Sequence, residues 1–404
     1  MTERATIESR TIRRSVTIAA LGTTQTLAWG SSYYLPAILA DDMAAATGVS
    51  RAWVFAAFSA SLLVTAVLGP AVGRTIDRRG GSAVLVASNI VLATGLVGLS
   101  LSAGIAGLAV AWAVVGVGMA LGLYDAAFAT LAGIYGHEAR GPITGITLIA
   151  GFASTVGWPL SALLDAHYGW RSTCLVWAAM HVIIGLPLNL LLVPRPSVRQ
   201  DPKQPGLATW EPRKEMILLA YIFAASWFVT GAMAAHLPSL LERMGATTVQ
   251  AVAAAALVGP AQVAARLAEF LIMRRTHPLV SARIAASMHP IGAVTLAALG
   301  SPAAALFALL HGAGNGLLTI ARGTVPLALF GPEGYGARTG LLGAPARAAQ
   351  AAAPLLFGLL LDVMGRGVLV VSGGLCLSAL AALFVLKATT ASARAQQPEC
   401  ECDA

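Results

Sequence analysis

Twelve apolar runs, each long enough to cross a bilayer and separated by short polar loops, constrain this chain more than any other feature. A hydrocarbon core takes roughly 20 mainly apolar residues per helix, within a range of about 17–25. Measured against that length, the spans fall near 15–40, 52–73, 82–102, 105–132, 142–164, 171–193, 216–240, 248–273, 279–299, 302–329, 339–361 and 367–387. In lipid, every backbone N–H and C=O must be satisfied internally, so each run is read as a helix. Composition agrees: 57% of residues are hydrophobic and 11% charged, whereas a soluble chain carries about 25% charged. The fold class predicted is an all-α membrane protein of twelve transmembrane helices. The first run holds Gln25, Trp29, Tyr33 and Tyr34 and lacks a small-residue cleavage site, so it is expected to stay as a helix rather than leave as a signal peptide.

The net charge of +8 points to polyanions only until the 26 basic residues are placed. Arg51, Arg171, Arg243 and Arg366 lie in one set of alternate loops, and Arg266, Arg322 and Arg347 lie inside spans. The other nineteen occupy the N-terminus, the opposite set of loops and the tail. Basic loops stay on the cytoplasmic side, so both termini are expected there, in a plasma membrane or a bacterial inner membrane. Nucleic acid is excluded as a partner, and the bilayer takes its place. The segment 194–215, rich in proline and charge, reads as a cytoplasmic linker. It separates an N-terminal segment (1–14) and a six-helix bundle (15–193) from a second bundle (216–387) and a tail (388–404).

The two bundles echo each other. Gly116, Gly118 and Gly122 align with Gly312, Gly314 and Gly316, and Ala139-Arg140 with Ala337-Arg338, at offsets close to half the chain. Pro159 and Asp165 likewise align with Pro354 and Asp362. A duplicated six-helix unit places a substrate site at the repeat interface, near the midplane.

Between the second and third spans the sequence reads Gly73-Arg74-Thr75-Ile76-Asp77-Arg78-Arg79-Gly80. This resembles the G-x-x-x-D-R-x-G signature of the major facilitator superfamily, at the place in the topology where that family carries it. The resemblance implies two six-helix bundles about a central cavity, and a switch loop in which Gly73, Asp77, Arg78 and Gly80 join helix ends in one conformation and release them in another. Within the superfamily, Gly145, Gly151, Gly157 and the Gly169-Trp170-Arg171 ending resemble the monocarboxylate and oxalate/formate porter branch. Arg266 falls where that branch has an anion-binding Arg-Pro, although Leu267 replaces the proline. The second-half copy of the loop signature is lost, with Phe270 and Arg274 in place of its Gly and Asp.

An ionisable side chain at the bilayer centre costs about 2.5–3.5 kcal/mol on insertion scales, so each one is a functional candidate. Asp125, Arg266, Arg322 and Arg347 all fall at a similar depth, roughly 10–12 Å inside the cytoplasmic edge at 1.5 Å per residue. Guanidinium groups hold carboxylates bidentately, so the arginines are candidates for a substrate anion or for a cytoplasmic gate closed against Asp125. Asp125, the acid deep in the first half, is the proton-coupling candidate. Arg266 and Glu269, three apart on one helix, are expected to neutralise each other. Gln25, Trp29, Tyr33, Trp158, Trp227, His236, His311 and Asn315 are candidates for lining the cavity. Cys400 and Cys402 in the tail offer two thiols, an incomplete metal site.

The function expected is secondary active transport by alternating access, moving a small organic anion such as a monocarboxylate with protons. There is no G-x-x-x-x-G-K-[ST] loop, so ATP-driven transport by this chain is disfavoured, and no cofactor is implied. Among the spans no nucleophile–base pair points to an enzyme. Efflux of a drug or a trivalent metalloid, motivated by the aromatic residues and tail thiols, is the second transport reading. A non-transporting sensor is the alternative of another class. A monomer is expected.

Overall fold

A computed structural model describes residues 2–195 and 214–387, and among these there are helices and no strands. Most of the expected linker, the tail, Cys400 and Cys402 lie outside the described residues. The first half begins with α1 (Thr2–Ser31) and α2 (Pro36–Thr47), a rod broken at 32–35, followed by α3 (Arg51–Arg79) and α4 (Ser82–Leu101). Next come α5 (Gly104–Gly122) with α6 (Tyr124–Tyr135), then α7 (Arg140–Ala150), α8 (Ala153–Met180) and α9 (Leu186–Leu192), the last two joined by a π-turn. The second half holds α10 (Lys214–Arg243), α11 (Thr248–Ala256), α12 (Val258–Leu271), α13 (Pro278–Leu299), α14 (Ala304–Phe330), α15 (Tyr335–Met364) and α16 (Val368–Val385).

Eight stretches are long and apolar enough to cross a membrane; two of them, Gly104–Leu192 and Tyr335–Val385, run through turns. Those turns sit at Gly136, Gly169 and Gly365, whose φ values of 56°, 77° and 54° break the helix. Divided there, and with α1 added, the described residues are consistent with twelve spans. Val67, Leu101, Ile183, Leu191, Val363 and Val370 are exposed on the outer faces. Water penalises such an apolar perimeter and lipid does not.

The repeat seen in the sequence reappears as matched packing. A Cβ on Gly116 would lie 2.6 Å from the carbonyl oxygen of Ser61 on α3, and one on Gly312 would lie 2.5 Å from that of Val258 on α12. Gly118 likewise abuts Leu92 on α4, and Gly314 abuts Ala285 on α13. In both halves, therefore, the fourth span packs against the second and third through the same glycines, which let the backbones approach closely.

Two spans are interrupted at depth. Leu123 is extended (φ −79°, ψ −175°), so α5 ends and α6 begins within the fourth span. The fifth span breaks between α7 and α8 at Gly151 and Phe152. Irregular backbone at such depth is tolerated only where protein groups satisfy it, and both breaks adjoin the polar cluster described next.

Candidate functional site

The break at Leu123 leaves the Gly122 carbonyl without a helical partner, and the Gln25 side-chain amide from α1 donates to it. It also starts a new helix whose first turn contains Asp125. A carboxylate near a helix N-terminus is favoured by the backbone dipoles there. From the other half, Arg322 on α14 donates to Asp125 Oδ2 at 2.6 Å, and Arg347 Nη2 on α15 stands 3.7 Å from the same oxygen. Asp125 and Arg322 are separated by 197 residues, so the ion pair joins positions that correspond in the repeat.

Two cations thus share one acid, and Arg347 is the less satisfied. Its Nη1 reaches Gln350 Oε1 at 3.4 Å, and Gln350 in turn donates to the Tyr33 hydroxyl at 2.8 Å. Its Nε and Nη2 have no hydrogen-bond partner, although the residue is only 1% exposed. Those two nitrogens form one edge of the guanidinium, the edge that grips a carboxylate with two parallel hydrogen bonds. Aromatic faces surround the pair: Arg322 lies over Trp227 at 4.7 Å, and Arg347 lies 5.7 Å from the centre of Trp29.

Arg266 stands apart. It enters the fifth-span break, with Nη1 3.4 Å from the Thr147 carbonyl and close against Gly151, and its Nη2 reaches Gln262 and Thr319. Its Nε has no partner. The expected neutralisation by Glu269 is not found. Glu269 turns the other way, accepting from Arg140 at 3.1 Å and from Ser281 at 2.6 Å. A three-residue spacing permits contact along a helix, but the carboxylate is drawn to a cation and a hydroxyl arriving from two other helices. Among the described residues, Asp125 therefore pairs with Arg322 and Arg347, while Arg266 is held by Thr147, Gln262 and Thr319.

Between this cluster and one end of the bundle, the halves are locked together twice. Gly80 (φ 79°) terminates α3, and Asp77, in its last turn, accepts the backbone N–H groups of Gly336 and Ala337 at 2.8 and 2.7 Å. These are among the orphan donors of the N-terminus of α15, so Asp77 caps a helix of the other half. Close approach is possible because Gly73 meets Gly336, and Gly69 meets Gly340, backbone to backbone. Arg78 is exposed beside this lock. The second lock is Arg140 at the start of α7. It binds Glu269 and donates to the carbonyls of Met273 and Thr276 beyond the C-terminus of α12. At the opposite end, α2 packs on α3 and α8 of its own half, and α11 on α10, α12 and α14 of its own.

The remaining expected residues separate into two groups. Trp29, Tyr33 and Trp158 join a chain of rings with Tyr34 that approaches Arg347. His236, His311 and Asn315 are not brought to the cluster. His236 Nε2 contacts the Pro354 carbonyl within the second half. His311 pairs with His289 (Nδ1 to Nδ1, 3.0 Å), and Asn315 accepts from Thr230 on α10, beside a small pocket inside that bundle. Sequence reading missed the parts played by Arg140, Gln350, Gly336 and Gly340. Three of these had a signal: Gly336 and Gly340 repeat the four-residue spacing of Gly69 and Gly73, and Arg140 corresponds to Arg338 in the repeat.

A family model described as Major Facilitator Superfamily matches residues 21–310. No curated protein sequence matches the chain. Among solved structures, the human organic anion transporter MFSD10 (TETRAN) is similar at a TM-score of 0.68 and 19% identity, over 92% of this chain and 99% of that one. At that identity the likeness speaks for the fold alone.

Proposed function

The chain belongs to the major facilitator superfamily of membrane transporters, and from that premise we propose that it moves a small organic anion, such as a monocarboxylate, by proton-coupled alternating access. The observation that carries this reading is the Nε–Nη2 edge of buried Arg347, which makes no hydrogen bond and has only a long 3.7 Å ion pair to Asp125, an acid that Arg322 holds at 2.6 Å. A buried guanidinium with half its donors unmet is costly. A substrate carboxylate supplies two acceptors in the geometry that edge requires.

The locks give the reading its conformational step. On this reading the excess of basic residues in the loops puts the doubly locked end at the cytoplasm, and release of the two locks is the step that opens that side. Substrate arriving from outside meets Arg347 and competes with Asp125 for it. Asp125 then exchanges its ion pair for a proton as the halves rearrange. Both bundles (15–193 and 216–387) move as units about the site, with both termini cytoplasmic. The export reading for a drug or metalloid uses the same rings and the thiols of Cys400 and Cys402; the free arginine edge favours the anion.

Purified protein in proteoliposomes tests this. With an imposed pH gradient, wild type accumulates a labelled carboxylate. Asp125→Asn loses accumulation but keeps carboxylate exchange at equal pH. Accumulation by that variant at the wild-type level would remove Asp125 from coupling. No carboxylate movement by wild type under any gradient would remove the anion, and with it the sensor alternative would gain.

A further inference from the structure

Four aromatic side chains of the first half form a stair that leads to the free edge of Arg347. Trp158, 43% exposed, meets Tyr34 edge to face at 5.7 Å and 80°. Tyr34 meets Tyr33 at 5.4 Å and 86°, and Tyr33 meets Trp29 at 5.2 Å and 68°. Trp29, 8% exposed, is the ring nearest Arg347, and its own indole N–H is buried without a partner. The lower end of the stair therefore carries three unmet donors, Trp29 Nε1 and Arg347 Nε and Nη2, while the rings above it are partly open.

Resting on the anion reading, we propose that the preferred substrate is an aromatic carboxylate. Its acid group sits on the Arg347 edge, and its ring lies along the stair formed by Trp29, Tyr33, Tyr34 and Trp158. The arrangement of the rings is what distinguishes an aryl group from an alkyl one. Successive rings stand close to perpendicular, so the stair presents electron-rich faces and electropositive edges in alternation. Another aromatic ring meets both with complementary quadrupoles, which an aliphatic ring of the same size lacks. The donors at the base take acceptors, so the polar end of the ligand is an anion and not a cation. Asp125 Oδ2 stands 3.7 Å from Arg347 Nη2, so the ligand carboxylate displaces it from that nitrogen while Arg322 keeps it at 2.6 Å.

The test compares benzoate with cyclohexanecarboxylate, equal in charge and nearly equal in size, by titration calorimetry on the purified full-length protein. Benzoate is expected to bind about tenfold more tightly, the scale of one or two aromatic contacts. Trp29→Leu should erase the preference. Because Trp29 is buried and packs within the fold, Trp158→Leu at the exposed end serves as the second variant and should reduce the preference about threefold, on the scale of one aromatic contact. Tyr221→Leu, on the outer face of α10, should leave it intact. Equal affinities in wild type overturn the aromatic proposal while leaving the anion reading in place. A preference that survives both tryptophan substitutions overturns the assignment of these rings. Binding of neither acid overturns the anion reading itself.

Discussion

The two locks at the closed end occupy corresponding places in the repeat and work with opposite polarity. At α3 and α15 an acid accepts from backbone N–H groups at a helix N-terminus, and four glycines bring the helices into backbone contact. At α12 and α7 a cation donates to backbone carbonyls past a helix C-terminus and to the buried acid Glu269. The first-half loop keeps Gly73 and Asp77; its second-half copy has Phe270 and Arg274. A duplicated unit has thus kept closure at both places while reversing which partner carries the charge. Helix ends allow this, since the N-terminus attracts anions and the C-terminus attracts cations. The locks also differ in what failure leaves behind. Losing Asp77 leaves N–H groups near water, whereas losing Arg140 strands a carboxylate that is 1–2% exposed.

That difference orders the expected effects. Arg140→Ala should be the most damaging, about 3–5 kcal/mol against the closed state, as for other buried pairs broken on one side. Adding Glu269→Gln should recover most of the loss. Spin-label distances across the closed end, together with thermal stability, measure both, and failure of the double variant to recover would show that Glu269 is not the reason. Next comes Gly73→Ala, whose Cβ would overlap the Gly336 carbonyl. Overpacking of that kind costs about 1–3 kcal/mol, and here it should open the end without lowering the stability of either bundle. Asp77→Asn should follow at about 1 kcal/mol, because the amide oxygen can still accept one N–H but the charge on the helix end is gone.

The second lock should also respond to pH through a histidine that the first lacks. His277 caps α13 by accepting from the Leu279 N–H, next to the carbonyls that Arg140 holds. Burial, and then Arg140 and Arg283, hold its imidazole below the ordinary value of 6.5. A histidine that is harder to protonate when folded contributes its full stability above pH 6.5 and loses it progressively as pH falls below that value. Acidification from pH 7 to 5 should therefore loosen the α7–α12 contact in wild type and have less effect in His277→Asn. Equal loss in both would exclude this residue. The smallest effect is expected at Arg14 and Glu138, an exposed pair at 3.3 Å, where Glu138→Gln should change stability by less than about 0.5 kcal/mol.

Most of the fold was legible because lipid imposes a length and loops report sidedness through charge. The spans, the glycine echo at Gly116 and Gly312, and the Gly73–Gly80 loop each carry a local signal. What was not legible depends on which side chains meet across helices. Arg266 and Glu269 have the spacing of a local pair, yet each is drawn to another helix. The break at Leu123 has no proline or glycine of its own to announce it, beyond Gly122 before it. Gln25 could not be matched to the carbonyl it caps until that break was placed. Asp125, Arg322 and Arg347 shared a predicted depth, and depth alone does not tell a pair from a trio or show which guanidinium edge is left open.

Carboxylate binding to Arg347→Lys reads that edge of the guanidinium. Lysine keeps the charge and cannot offer two parallel donors. Carboxylate affinity should fall at least about tenfold, the scale of about 1.5 kcal/mol for a lost charged hydrogen bond. Thermal stability should change little. Unchanged affinity in Arg347→Lys would show that the Arg347 edge does not hold the anion.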